Sequence, residues 1–252
     1  MWAKTAAIAL ILAAAVTAQD DDAKKKDEEA KAKIADFKKE LKTAKTDKDV
    51  ARALEGLGAL QHPKVLSEMK SYLTKSAEIA IAAAEQLAKY KKDKDAAESL
   101  MAASGSRDKD VSVKCIRYAG DVEYKGIVPK LANLFRHKEI DAAKEAVDSC
   151  AKIRSKDAID PLLNLWRELD GIKEDKGNSG GGTGGLGGLG GGGITGTGGV
   201  GHSYQEEQLK RKRDLTPAVE NALRKITGEE FKDLRGANDW WRKNKGTFKD
   251  PE

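Results

Sequence analysis

The sequence contains few aromatic residues, cysteines and histidines: aromatics make up 5% of its 252 residues, with two cysteines and three histidines. An aromatic-rich enzyme core of large size is therefore not expected. His62, His137 and His202 are scattered, and none has a second ligand at metal-binding spacing, so no metal site is predicted. Beyond one run near the start, no segment is apolar enough to span a membrane.

Charged residues are abundant and nearly balanced. They make up 35% of the chain, and 46 lysines and arginines stand against 41 aspartates and glutamates, a net charge of +5. The densest basic run, Lys210-Arg211-Lys212-Arg213, could bind a phosphate or sulfate backbone. Acidic residues around it keep the net charge of the segment small, which favours a solvated helix face over a nucleic-acid site.

The start of the chain is typical of a signal peptide. Lys4 precedes an apolar run from Ala6 to Val16, and small residues stand before a cleavage point at Gln19. Because the run is shorter than the roughly 20 residues of a membrane-spanning helix, we expect cleavage and export to a periplasmic or extracellular location. The alternative is an uncleaved membrane anchor.

A repeat with a period of about 31 residues runs through the middle of the chain. Four helix endings share one pattern, Leu54-x-x-Leu57-Gly58, Ala84-x-x-Leu87-Ala88, Ile116-x-x-Ala119-Gly120 and Val147-x-x-Cys150-Ala151. In the second helices, three sets of equivalent positions, here called columns, recur every 31 residues: Leu66, Ala97, Val128 and Ile159; Met69, Leu100, Leu131 and Leu162; Tyr72, Ala103, Leu134 and Leu165. Each unit predicts an amphipathic helical hairpin that must stack on its neighbours to bury its apolar face. We expect Gly58 and Gly120 to end their helices in the left-handed conformation.

These residues resemble the short bacterial type of the HEAT-repeat family of α-solenoids. The resemblance covers residues 47–170 and extends to the C-terminus, where Thr216-Pro217 predicts a helix start and Ala222-Leu223-x-x-Ile226-Thr227-Gly228 repeats the ending pattern. Trp240-Trp241 is interpreted as the hydrophobic cap of the array, with stacking on a sugar or base as the alternative. The resemblance implies an all-α fold, a short α-solenoid of stacked helical hairpins, and binding of protein partners.

The predicted organisation follows from these patterns. Residues 177–201 contain 16 glycines among 25 residues, which predicts a flexible insert. The segments are a signal peptide at 1–18, a disordered stretch at 19–27, a capping helix at 28–46, four repeats at 47–176, the glycine-rich insert at 177–201, and a basic helix with a degenerate last repeat at 202–252. Ile34, Phe37 and Leu41 share one face of the capping helix. Docking of the last repeat on the fourth is left open.

No catalytic constellation is recognisable. Gly196-x-Gly198-x-x-Gly201 matches a dinucleotide fingerprint in letters only, because no strand precedes it, so no cofactor is predicted. Cys150 falls in a core column of the repeat, and the register places Cys115 too far away for a disulfide, which predicts two packed thiols. Carboxylates are too numerous for any pair to be singled out as an acid and base.

The sequence therefore predicts an exported, non-catalytic scaffold that binds a protein partner. Its binding surface is predicted at exposed positions of the second helices: Glu68, Lys70, Lys130, Asn133 and Asn164. The alternative is binding of an anionic polymer, a cell-surface polysaccharide or nucleic acid, through Lys210, Arg211, Lys212 and Arg213.

Overall fold

The computed structural model describes residues 2–173 and 198–251, and within these ranges the chain is all-helical, with no β-strand. Two 3-10 turns, Lys125–Ile127 and Lys156–Ala158, precede the helices that begin at Val128 and Ile159. The helices are α1 Trp2–Thr43, α2 Asp47–Gly58, α3 Pro63–Lys70, α4 Ala77–Leu87, α5 Lys94–Ala103, α6 Lys109–Val122, α7 Val128–Leu134, α8 Ile140–Ile153, α9 Ile159–Asp170, α10 Gly198–Thr227 and α11 Leu234–Asn244.

The chain divides into two compact units, Met1–Ile127 and Val128–Glu252. In the first unit α2 packs against α4 and α4 against α6, while α1 covers α2 and α3. In the second unit α7 packs against α8, α10 lies across α8 and α9, and α11 packs on α9. The last two helices are thus docked on the helices of the predicted fourth repeat, which the sequence left open.

Side-chain caps explain where several helices begin. Thr46 and Asp49 form a reciprocal capping box at the start of α2, and His62 caps α3 ahead of Pro63 at its first turn. Asp93 and Asp108 accept hydrogen bonds from backbone N–H groups at the starts of α5 and α6. The first helices of the predicted hairpins begin at residues 47, 77, 109 and 140. These starts are 30, 32 and 31 residues apart, as are Leu54, Ala84, Ile116 and Val147 in the four helix endings.

The core of each unit is built from the repeat columns. Sixteen positions in four of these columns are each no more than 4% exposed. They are Leu54, Ala84, Ile116 and Val147; Leu57, Leu87, Ala119 and Cys150; Leu66, Ala97, Val128 and Ile159; Met69, Leu100, Leu131 and Leu162. Their burial removes apolar surface from water at about 25 cal/mol per Å², the main stabilising contribution to such a fold.

The prediction that Gly58 and Gly120 adopt the left-handed conformation is wrong. Both residues belong to their helices, α2 and α6, and neither has a positive φ. A Cβ placed on Gly58 would come within 2.5–2.7 Å of the buried Gln86 side chain, so glycine is needed there for close helix packing. The non-glycine residues that do have positive φ are Lys92, Glu123 and Arg154. They occupy equivalent positions in successive predicted repeats, each in a turn between two consecutive helices.

The N-terminal helix is longer than the sequence predicts. α1 continues through 19–27, where disorder is expected, and reaches Thr43. Asp27 fixes this part of the helix, because its carboxylate contacts Lys64 and lies 3.1 Å from Nε2 of His62. Phe37 is buried and meets Tyr72 edge-on at 5.4 Å. Within the described ranges, no helix is both long and apolar enough to cross a membrane.

Helix α10 also differs from its predicted start. It begins at Gly198 and runs without a break through Thr216-Pro217, so the predicted helix start there is wrong. Buried residues lie on both sides of the proline, Leu215 before it and Ala218 after it, and this continuous apolar face holds the helix together across the missing N–H. Residues 198–201 of the predicted insert begin α10. The rest of the predicted insert, 177–197, lies outside the described residues.

Candidate binding surfaces

The predicted binding residues of the first unit are engaged in ion pairs within that unit. Glu68 on α3 lies 3.1 Å from Nζ of Lys38 on α1, and Lys70 lies 3.4 Å from the carboxylate of Asp95 on α5. Both side chains are partly covered, with 22% and 32% of their surfaces exposed. Surface ion pairs of this kind contribute less than about 1 kcal/mol, so a partner could exchange them for its own charges at small cost.

The predicted residues of the second unit lie around a cavity between α7 and α9. Asn133 and Asn164 line this cavity of about 190 Å³, and Lys130 is exposed on α7. The guanidinium of Arg136 pairs with the carboxylate of Glu168 at the same cavity, and Nε of Arg136 donates to it at 3.1 Å. The structure thus brings together Asn133 and Asn164, which hold the same place in successive repeats. The apolar wall of the cavity comes from Ala132, Phe135, Pro161 and Leu165.

The two asparagines retain hydrogen-bonding capacity. Oδ1 of Asn164 accepts a hydrogen bond from Arg167 at 2.7 Å, which leaves its amide N–H groups directed away from that bond. Asn133 is exposed and has no hydrogen bond to any described residue. An amide side chain offers two donors and an acceptor with two lone pairs, so this pair matches the polar groups of a peptide backbone.

Half of the basic run serves the fold itself. The guanidinium of Arg211 donates hydrogen bonds to the carbonyl oxygens of Phe135 and His137, just beyond the last residue of α7. Nζ of Lys212 donates to the carbonyl oxygen of Ile172, beyond the end of α9, at 2.9 Å. Cations at helix C-termini satisfy carbonyls that lack an intrahelical partner and face the negative end of the helix dipole.

Desolvation also distinguishes Arg211 from an ordinary surface cation. Burial lowers the pKa of Arg211, and the nearby carboxylates of Glu168 and Glu207 oppose that change. Arg213 pairs with its neighbour Asp214 at 3.0 Å, and Lys210 is exposed. The four cations therefore do not form one continuous surface available to a polyanion.

The tryptophan pair is part of the C-terminal core. Trp241 is 6% exposed and its Nε1 donates to the carboxylate of Asp160 on α9 at 2.8 Å. Trp240 stacks on Trp241 with ring centroids 6.3 Å apart, and Phe231 and Phe248 meet Trp240 edge-on. Stacking between these rings supports the cap interpretation over an exposed platform for sugars or bases.

Asp160 anchors the last helix, a role with no signal in the sequence pattern. Its carboxylate accepts from Trp241 and from Nζ of Lys245, both at 2.8 Å. Burial raises the pKa of Asp160, but the hydrogen bonds from Lys245 and Trp241 outweigh it and hold the pKa below the usual value. Near the chain end, Asp250 accepts a hydrogen bond from the backbone N–H of Lys156 at 2.6 Å.

The two cysteine thiols, the remaining groups that could act as nucleophiles, are buried. Cys115 and Cys150 are both buried, carry no disulfide, and burial raises the pKa of each thiol to about 12. A thiol with such a pKa is not a nucleophile at neutral pH. Among residues 2–173 and 198–251, no group of three His, Cys, Asp or Glu side chains is placed to hold a metal ion.

Comparison with models of protein families and with curated proteins finds no match to this chain. Its function is therefore inferred from the geometry of its own residues.

Proposed function

We propose that this protein is an exported, HEAT-like α-solenoid that binds a protein partner and has no catalytic role. Three features that recur at the repeat interval support the solenoid: four buried columns, the hairpin starts, and the left-handed turn residues Lys92, Glu123 and Arg154. Hairpins that recur in this way bury their apolar faces by stacking on their neighbours.

The observation that carries the binding proposal is the cavity between α7 and α9. Its walls combine apolar side chains with Asn133 and Asn164, whose amides retain hydrogen-bonding capacity. A small apolar surface with fixed polar groups suits an extended protein segment, which presents alternating side chains and backbone polar groups. In the first unit, the ion-paired Glu68 and Lys70 are charges that a protein surface could exchange for its own.

Site-specific crosslinking tests this surface. The full chain carries a photoreactive phenylalanine in place of Asn133 or Asn164 in cells that produce the protein, and the matched control carries it in place of Lys225, an exposed residue of α10. We expect one protein partner to be crosslinked from positions 133 and 164 and not from position 225. Identical products from all three positions, or none, would contradict the proposed surface.

Charge reversal and salt separate a protein partner from a polymer. The paired variant Lys70→Glu with Lys130→Glu should weaken binding of the crosslinked partner, and unchanged affinity would argue against the second helices. A polyanion bound through the basic run would instead be lost steeply between about 50 and 200 mM salt, because its counterions are released on binding.

Sequencing the N-terminus of the exported protein tests the signal peptide, with Gln19 as the expected first residue.

A further inference from the structure

The second unit contains a larger cavity between α9, α10 and α11. Its volume is about 600 Å³, within the range of small-molecule sites. Trp166, a buried residue of α9, contributes an aromatic wall, and α11 with the turn before it forms the opposite side. Polar groups on the lining come from Asp170, Thr216, Glu220, Lys232 and Arg235.

The charged side chains of this cavity that have no partner lie on different helices. Asp170 at the end of α9 and Glu220 on α10 have no ion pair or hydrogen bond to a described residue, and neither do Lys232 and Arg235 on the α11 side. The unpaired anions thus lie on α9 and α10, and the unpaired cations lie on the α11 side of the lining. The other two carboxylates of the lining are occupied, since Asp233 caps α11 through the N–H of Gly236 and Asp239 pairs with Arg242.

We infer that this cavity binds a small zwitterion, a free amino acid or a dipeptide. The carboxylate of the ligand would pair with Arg235 and Lys232, its ammonium group with Asp170 and Glu220, and its side chain would pack on Trp166. Opposite charges held apart by the protein recognise a molecule that carries both charges at a fixed separation better than a simple ion. This inference does not depend on the proposed protein-binding function.

The test uses the full chain and defined probes. Thermal denaturation is followed with each of the twenty standard amino acids and with glycylglycine at millimolar concentration, and probes that raise the melting temperature are titrated by calorimetry. We expect saturable binding of at least one zwitterion, and about tenfold weaker binding of the same molecule when its amine is acetylated or its carboxylate amidated, since each loses one ion pair. The amino acids and the dipeptide distinguish a free amino acid from a peptide ligand.

Matched variants locate the site. Arg235→Gln and Glu220→Gln should each weaken binding about tenfold, whereas Lys243→Gln and Glu229→Gln, exposed residues outside the cavity lining, should leave it unchanged. All four positions are on the surface, so the variants are expected to fold. Absence of binding by every probe, or equal affinity in all four variants, would overturn the inference.

Discussion

The replacement Arg211→Gln tests whether the basic run is structural. The guanidinium of Arg211 donates to the carbonyls of Phe135 and His137 at the C-terminal end of the short helix α7. Hydrogen bonds from a charged donor contribute about 1.5–3 kcal/mol, and a cation at a helix C-terminus about 0.3–2 kcal/mol. Burial of the guanidinium, which lowers its pKa, offsets part of this. We therefore expect a net loss of about 1–2 kcal/mol, since water can reach the two carbonyls in the variant.

Hydrogen exchange of α7, measured by mass spectrometry, gives the local readout. A loss of about 1–2 kcal/mol corresponds to opening that is about 5 to 30 times more frequent. Lys210→Gln is the control, because Lys210 is exposed one residue earlier on the same helix. Equal exchange of α7 in the two variants would refute the capping argument. If Arg211 serves the fold, retention on an immobilised polyanion should also fall more in Lys210→Gln than in Arg211→Gln, once the fold-related loss is subtracted.

Three further predictions concern packing, turns and pH. In α2, Gly56→Ala should stabilise the protein by about 0.5–1 kcal/mol, because a Cβ there meets nothing within 4 Å. Gly58→Ala should be less stable than the Gly56→Ala variant by about 1–3 kcal/mol, because its Cβ clashes with Gln86. Chemical denaturation measures both free energies of unfolding. Lys92→Gly should stabilise the turn by about 0.5–1 kcal/mol, because Lys92 has φ of 58°, and a loss of stability would contradict the left-handed assignment. Because the pKa of Asp160 is lowered in the folded protein, its contribution to stability is present above the ordinary carboxyl pKa and is lost as pH falls through the folded pKa. Tryptophan fluorescence should therefore report release of α11 below about pH 4. The variant Asp160→Asn should release α11 at neutral pH.

The helical organisation was predictable because it depends on short-range periodicity. Apolar residues at helical spacing and a common ending pattern set the hairpins, and the structure places the first helices at the predicted steps. The conformation of each turn was less predictable. Glycine can serve either a positive φ or a close contact, and Gly58 serves the contact with Gln86, which lies on α4 in the next hairpin. The left-handed turns instead use Lys92, Glu123 and Arg154, whose regular spacing was visible only after the backbone was known.

The candidate surfaces were less predictable, because charge patterns do not state their partners. Asn133 and Asn164 could be placed near each other from the repeat register, and the structure does bring them to one cavity. The zwitterion cavity has no such register, since its walls come from α9 and from helices beyond the glycine-rich insert. No local motif links Asp170 to Arg235.

The basic run shows why a dense charge motif is ambiguous. Every α-helix ends with carbonyls that have no intrahelical partner, so a protein of many short helices contains many internal sites for lysine and arginine. Arg211 and Lys212 meet two such helix ends, those of α7 and α9, and α10, which carries both residues, packs against α8 and α9. A motif of four cations in a sequence can thus describe the protein's own helix termini as well as an external polyanion. Only the positions of the carbonyls distinguish the two, which is why the capping residues should be removed from any count of cations available to a partner.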